Sequence, residues 1–315
     1  MMHLLNKINI TRDKLKGNKV FCIILSAFLI SLAFRNDASA QILTLSPEEM
    51  IQFTPLNPYG RFPDGRPMVP DALLDTIRSM KIEIVEAWSL LRQKGYPYQY
   101  EADWNILIPS KRLVGRSFTV QFMPIRADLD EAIQKKSENE GLGRMRNQTT
   151  IDMLQKNDVI VVDLFGKVEG GTFVGDKLAY YILKTTGTGI IIDGGLFYTD
   201  RIEATGMPAY YRGTHPGALT NVMITGINIP LQIGNAVVMP GDVVLGDSEG
   251  ILFIPPQYVE EIIESVKSQR LRDEWAKKKF DTGRYKSIEI YGKLSPELQK
   301  EYDEFVRQRK AGEKK

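Results

Sequence analysis

The feature that most constrains the fold is a strand, a glycine-rich loop, a helix and a second strand that follow one another between residues 158 and 213. Residues 158–163 form a β-branched run typical of a buried strand, and residues 190–192 predict another. The loop contains Gly166, Gly170, Gly171 and Gly175, and the helix that follows carries the apolar stripe Leu178, Ile182 and Leu183. Residues 207–211 predict a third strand, so the unit is typical of an α/β fold.

This unit predicts a pocket for a small anion at the start of the helix. The first N–H groups of a helix have no partner within the helix, and the helix dipole favours negative charge there. Gly175, Asp176, Lys177 and Leu178 would then bind a carboxylate or phosphate. Two ordinary glycine turns explain the same spacing, so the pattern alone leaves both interpretations open.

The order of four blocks resembles the RraA-like family, which includes the 4-hydroxy-4-methyl-2-oxoglutarate aldolases. The blocks read GTFVGDKLA, GIIIDGG, MPAYYRG and PGDVVLGDSEGILFIP, and the resemblance covers about residues 113–256. It implies a layered α/β/β, swivelling-domain-like fold and a homotrimer or hexamer with sites between subunits. It also implies that backbone amides of the Gly-Asp-x-Leu turn and an arginine hold a pyruvate-like acid. An aspartate directly after that arginine holds Mg²⁺ or Mn²⁺ in typical members.

The sequence departs from this pattern at the position of the Arg-Asp pair. Phe197 stands where the resemblance places the arginine, and Tyr198 stands where it places the metal-binding aspartate. A phenol is a poor substitute, because Mg²⁺ prefers hard, charged oxygen ligands. Asp200 is the nearby carboxylate that could replace it. We therefore expect no metal cofactor and weak or absent metal-dependent activity.

Three side chains are candidates for catalysis. Asp176 could serve as a carboxylate base or only as the cap of the helix. Tyr198 could donate a hydrogen bond or take part in acid–base chemistry. His215 is the single histidine after residue 40 and a natural acid–base group near neutral pH, although a lone loop histidine is often incidental.

The substrate-binding candidates are Gly175, Asp176, Lys177, Leu178, Phe197 and Arg212. Lys177 could pair with an anionic substrate, form a Schiff base if it were desolvated, or stay a solvated surface lysine. Arg212 could hold an anion if it faces the site. The expected ligand is a small carboxylate or sugar acid.

Residues 1–40 predict an export signal. A basic start precedes a fifteen-residue apolar run at 20–34, and Ala38-Ser39-Ala40 fits the small-x-small cleavage rule. We expect cleavage after Ala40 and a periplasmic or secreted product, with an uncleaved anchor as the alternative. The run is short for a membrane span, so we do not expect an integral membrane protein.

The remaining chain is nearly neutral. Six of the 41 Lys and Arg and two of the 39 Asp and Glu precede residue 41, which leaves 35 basic and 37 acidic residues and a net charge of −2. This balance gives no reason to expect nucleic-acid binding. The single cysteine, Cys22, also lies in the signal, so a disulfide and a thiol nucleophile are excluded from the rest.

The predicted organisation is an N-terminal extension at 41–112, a core at 113–256 and a charged helical tail at 257–315. The extension contains one amphipathic helix at 71–94, and the core contains a polar insertion at 127–150. Gly234-Asn235 predicts a hairpin in a strand meander.

Asp242 and Asp247 lie in Gly-Asp turns that could bind ligands or be only structural. Three alternating tyrosines could form a rim for a sugar or an aromatic acid, or pack the extension onto the core: Tyr96, Tyr98 and Tyr100.

Two functions remain compatible with these observations. The first is an exported lyase of the aldolase family that cleaves or decarboxylates a small oxo or hydroxy acid with a divergent site. The alternative is a catalytically silent RraA-like module that binds a ligand or a protein.

Overall fold

The computed structural model describes residues 44–312, so the predicted export signal lies outside the described residues. Within this range no helix combines the length and the apolar character needed to cross a membrane. The helices are α1 (Pro47–Phe53), α2 (Asp71–Met80), α3 (Ile84–Gln93), α4 (Ala127–Asn139), α5 (Asn147–Ile151), α6 (Asp176–Thr186), α7 (Thr199–Ala204), α8 (Val259–Asp281), α9 (Ser287–Tyr291) and α10 (Pro296–Gly312). The strands are β1 (Tyr100–Glu101), β2 (Asn105–Ile106), β3 (Leu113–Pro124), β4 (Asp158–Thr172), β5 (Ile190–Leu196), β6 (Ala209–Thr214), β7 (Val222–Ile227), β8 (Leu231–Ile233), β9 (Ala236–Val238), β10 (Val243–Asp247) and β11 (Gly250–Ile254).

Nine strands form one mixed sheet in the order β1-β11-β10-β3-β4-β5-β6-β2, with β7 also paired to β3. Strands β3, β4, β5 and β6 are parallel neighbours, and the outer pairs are antiparallel. Strands β8 and β9 form a separate hairpin, as the Gly234-Asn235 turn predicts.

The parallel strands are apolar on both faces because both faces are covered. Ile160 and Ile192 face a core that includes Ala179 and Ile182 of α6. Val161 and Ile191 face the opposite way, toward a core that includes both strands of the hairpin. Helices therefore cover one face and the hairpin the other, which gives the layered α/β architecture expected from the sequence.

The helix predicted over residues 71–94 is two helices. The chain breaks at Lys81, whose backbone is left-handed with φ 50° and ψ 49°, and α3 begins at Ile84. The apolar periodicity continues across the break because both helices pack on the same core: Leu74, Ile77, Ile82, Ile84, Ala87 and Leu91. Periodicity alone therefore could not show the bend.

The first strand of the central unit extends beyond residue 163. Strand β4 continues to Thr172 by bulging twice against β5, where Lys167 pairs with Gly194 and Thr172 with Gly195. Gly171 is required in this tight path, because a Cβ there would lie 1.8 Å from the carbonyl oxygen of Lys167. The predicted glycine loop is thus largely an irregular strand.

A buried ion pair fixes the N-terminal extension to the sheet. Arg66 donates from both terminal nitrogens to Asp158, at 2.8 and 3.1 Å, and both side chains are fully buried. The guanidinium also lies over the ring of Phe62, 4.4 Å from its centroid. Asp158 is the first residue of β4, so this pair ties the N-terminal extension directly to the parallel part of the sheet.

Two predicted peripheral regions are more integrated than their polarity suggests. The insertion at 127–150 forms α4 and part of α5, and it buries Ile133 and Met145 in the core beside α6. The charged tail forms α8, α9 and α10, which share a separate small apolar cluster around Trp275, Ile290 and Leu298.

Candidate functional site

The first turn of α6 is open toward the predicted site. Gly175 is the N-cap, with an extended backbone, and Asp176 is the first helical residue, so the prediction of Asp176 as cap is off by one position. Among the described residues no side chain caps this helix, and Ala179 is the residue whose N–H returns to the Gly175 carbonyl. The earlier N–H groups are available to an external acceptor.

An aromatic pair lies against this helix start. The ring centroids of Phe197 and Tyr198 are 4.4 Å apart. A Cβ built on Gly175 would lie 3.2 Å from Cζ of Phe197 and 3.7 Å from Cδ2 of Tyr198. The structure therefore brings together the glycine cap and the two residues that replace the expected Arg-Asp pair.

A cavity of about 340 Å³ adjoins the aromatic pair. It is lined by Phe197, Tyr198, Thr199, Thr214, His215 and Pro216. The residues come from the ends of β5 and β6, which are parallel neighbours, and ligand sites in such sheets lie beyond the carboxyl ends of the strands. The lining of Thr199, Thr214 and Pro216 was not predicted, because it depends on this strand pairing.

His215 is held by backbone N–H groups from the irregular end of β4 and from the loop after β6. Its Nδ1 accepts from Gly170 N at 3.3 Å and from Gly217 N at 3.0 Å. In the neutral ring the proton therefore lies on Nε2. His215 also lines the cavity, and this arrangement suits it to donate a hydrogen bond through Nε2 more than to abstract a proton through Nδ1.

Arg201 is a cation that the sequence prediction left out of the site. Its NH1 lies 3.6 Å from Oδ2 of Asp176, and its guanidinium carbon lies 4.6 Å from the ring centroid of Tyr198. One helical turn of α7 brings it back toward α6, a relation that becomes visible only when the two helices are placed. Asp200, the expected substitute metal ligand, is exposed on the same turn.

Arg212 lies apart from this cavity. Its Nε donates to Asp193 at 2.6 Å, its NH2 donates to Glu101 at 2.9 Å, and its guanidinium carbon lies 3.8 Å from the ring centroid of Trp104. Burial acts to lower the pKa of Arg212, but the hydrogen bonds to the two carboxylates outweigh it and raise the pKa. The side chain joins β6 to the N-terminal extension.

Two predicted binding residues remain, Lys177 and Leu178. Lys177 is exposed, and Leu178 packs partly against the core.

Over residues 44–312 no group of three or more His, Cys, Asp or Glu side chains is placed to hold a metal ion. At the expected metal position, Tyr198 offers a neutral phenol and Asp176 is paired with Arg201, so this donor set does not suit Mg²⁺.

A family model described as RraA-like, Aldolase/RraA, matches residues 81–253, which is more than half of the chain. The chain belongs to the RraA-like family. The match includes the α6 turn, the aromatic pair and the cavity beside them.

Individual relatives are identical to this RraA-like chain at a quarter to a third of the aligned residues. Protein DlpA of Legionella pneumophila is 25% identical over 173 residues, which cover 55% of this chain and 26% of that protein. A putative 4-hydroxy-4-methyl-2-oxoglutarate aldolase of Halalkalibacterium halodurans is 31% identical over 121 residues, covering 37% of this chain and 55% of that protein. The chain therefore spans about a quarter to a half of the length of these relatives.

Solved structures share the fold. Streptomyces coelicolor RraAS2, described as an unusual member of the RNase ES inhibitor RraA protein family, superposes with a TM-score of 0.55 at 22% identity. The superposition covers 70% of this chain and 99% of that one. An uncharacterized protein from Pseudomonas syringae gives a TM-score of 0.54 at 20% identity, covering 69% and 96%.

Proposed function

We propose that this RraA-like chain binds a small carboxylic acid at the first turn of α6 and lacks metal-dependent aldol cleavage. The observation that carries the proposal is the Phe197-Tyr198 pair, which lies against Gly175 where the family resemblance places a carboxylate clamp and a metal ligand.

The open turn supplies the carboxylate site. Its backbone N–H groups and the positive end of the helix dipole favour an anion. Asp176 brings a negative charge to the same turn, and Arg201 offsets that charge by pairing with it. The guanidinium also lies over Tyr198, so Arg201 can turn toward a bound carboxylate without leaving the site.

The cavity beside the turn supplies selectivity for the body of the acid. Phe197 and Tyr198 offer apolar ring faces, and His215 offers an N–H donor from the end of the neighbouring strand β6. A small oxo acid or sugar-derived acid fits these surroundings better than a phosphate. The acid has a flat or partly apolar body and one carbonyl or hydroxyl group for His215 to bind.

The same residues argue against metal-assisted cleavage. A divalent metal speeds aldol cleavage of a 2-oxo acid by stabilising the enolate that develops. Losing a charged metal ligand and a bidentate arginine clamp would each cost about 2–4 kcal/mol in the transition state. Together these losses lower the rate on the order of a thousandfold or more.

Calorimetric titration with pyruvate in the presence of EDTA tests the binding proposal. We expect saturable binding that Gly175→Val weakens at least tenfold, because the new side chain meets the rings of Phe197 and Tyr198 and covers the amides. Gly60→Val is the matched control, since its Cβ would meet only the end of the Met68 side chain, at 3.4 Å. Equal affinity for pyruvate in the wild type and in folded Gly175→Val would overturn the proposal.

The second candidate function is an aldolase-family lyase with a rebuilt site. It is favoured by the relatives named as putative aldolases and by Asp200, a carboxylate two residues after the vacated metal position. This candidate requires Asp200 to turn from solvent toward the helix start and to bind a metal there. Both candidates bind a small acid, so only metal-dependent cleavage of a substrate distinguishes this candidate from the first.

A further inference from the structure

We propose that a second cavity, beneath the arm that follows α1 (residues 54–69), binds a small organic ammonium ion. The cavity has a volume of about 320 Å³ and shares no lining residue with the cavity beside α6. The arm that follows α1 forms one wall, and the segments next to β9, β10 and β11 form the others. The residues that matter for the argument are Leu56, Tyr96, Gln99, Val237, Asp242 and Pro256.

Two buried polar side chains of this cavity, Asp242 and Gln99, keep unfilled acceptor capacity within residues 44–312. Asp242 is 2% exposed, and its Oδ2 accepts from Met239 N at 2.9 Å, the one hydrogen bond to this carboxylate within residues 44–312. Gln99 donates from Nε2 to the carbonyl oxygens of Val237 and Phe253, both at 3.1 Å. Its amide is thereby fixed, and its Oε1 remains an acceptor.

The cavity lining carries no compensating positive charge. None of its residues is Lys, Arg or His, and the other ionisable group is Tyr96, whose hydroxyl accepts from Gln257 at 3.3 Å. Burial raises the pKa of Asp242 to about 7, and the Met239 amide offsets this only in part. Buried carboxylates in the ionised form are ordinarily paired with a cation, so a ligand that binds ionised Asp242 would be positively charged and would bring N–H donors.

The walls specify an apolar body for this cation. Leu56, Val237 and Pro256 line the cavity, and Leu56 is 61% exposed although it is apolar. Tyr96 also lines the cavity, and cations are attracted to tyrosine rings. A cavity of this volume is at the lower end for small-molecule sites, which suits a compact amine with a single ring.

Titration with benzylammonium tests the proposal. Benzyl alcohol and benzoate are the controls, because they carry the same ring with a neutral or a negative group in place of the ammonium. We expect benzylammonium alone to bind and to raise the melting temperature. Its affinity should increase as the pH rises through about 7, since the carboxylate must be ionised to pair with it.

Substitutions test whether benzylammonium binds in the cavity that contains Asp242. Asp242→Asn should weaken benzylammonium binding at least tenfold, while Asp176→Asn, which removes a carboxylate at the first turn of α6, should not. Leu56→Lys serves if Asp242→Asn does not fold, because it places a competing cation at an exposed position of the mouth and should also weaken binding tenfold. The proposal is overturned if the alcohol or benzoate binds equally well, or if either folded variant keeps the wild-type affinity.

Discussion

At the residue scale, Tyr198 decides what the site can do. It has a left-handed backbone with φ 55°, it is 49% exposed, and it lies between Phe197 and the guanidinium of Arg201. Aspartate tolerates this backbone region better than tyrosine does. The position could therefore carry the expected aspartate without backbone cost, and the replacement changes chemistry more than fold.

Arg66 is the residue on which the attachment of the N-terminal extension depends. Arg66→Met leaves Asp158 buried without its cation, so we expect the free energy of unfolding to fall by about 3–5 kcal/mol. Urea unfolding followed by fluorescence measures this loss. Arg126→Met is the control, because the Arg126–Asp128 pair has similar distances but is exposed. A loss at Arg66 no larger than at Arg126 would contradict the role given to the buried pair.

At the element scale, the bend at Lys81 sets the angle between α2 and α3. A left-handed backbone costs a residue with a side chain about 1 kcal/mol more than it costs glycine. Lys81→Gly should therefore raise the melting temperature by roughly 1–2 °C for a chain of this size.

The matched control for this prediction lies at the end of the next helix. Lys94 caps α3 with φ −84°, where glycine gains nothing, so Lys94→Gly should leave the melting temperature unchanged or lower it. Differential scanning calorimetry compares the two variants. Destabilisation by Lys81→Gly would show that the lysine side chain, and not the backbone, holds the bend.

Elements whose own residues carry a strong pattern could be predicted from the sequence. Elements whose course depends on pairing with a distant strand could not. The β-branched run at Ile190–Ile192 and the Gly234-Asn235 turn each specify their own structure, and β5 and the β8–β9 hairpin are present as predicted. The bulged continuation of β4 depends on Gly194 and Gly195, more than twenty residues away in the chain. No local pattern marks such a continuation.

The same distinction applies to the site. The motif order located Gly175, Phe197 and Tyr198, and the structure places them in contact. Arg201 approaches Asp176 only through the packing of α7 on α6, and the two backbone N–H groups that hold His215 come from β4 and from the loop after β6. These relations are tertiary, so residue spacing does not encode them.

At the scale of the whole molecule, we propose that the chain assembles through helix α1 into a trimer or hexamer. Helix α1 exposes two large apolar side chains that lie close in sequence, Ile51 and Phe53. Light scattering at micromolar concentration should give three or six times the mass of the monomer, and Ile51→Glu should shift it toward the monomer. A wild-type protein that stays monomeric would contradict the proposal.

The central claim is that the site binds an acid but does not perform metal-dependent aldol cleavage. It is tested most directly by pyruvate release from 4-hydroxy-4-methyl-2-oxoglutarate with Mg²⁺ or Mn²⁺, against an EDTA control. The natural chain should release pyruvate no faster with metal than with EDTA. The double variant Phe197→Arg, Tyr198→Asp, which restores the expected clamp and ligand, should gain at least tenfold with metal. Robust turnover by the natural chain that EDTA abolishes would contradict the claim and would show that other residues, with Asp200 foremost, bind the metal.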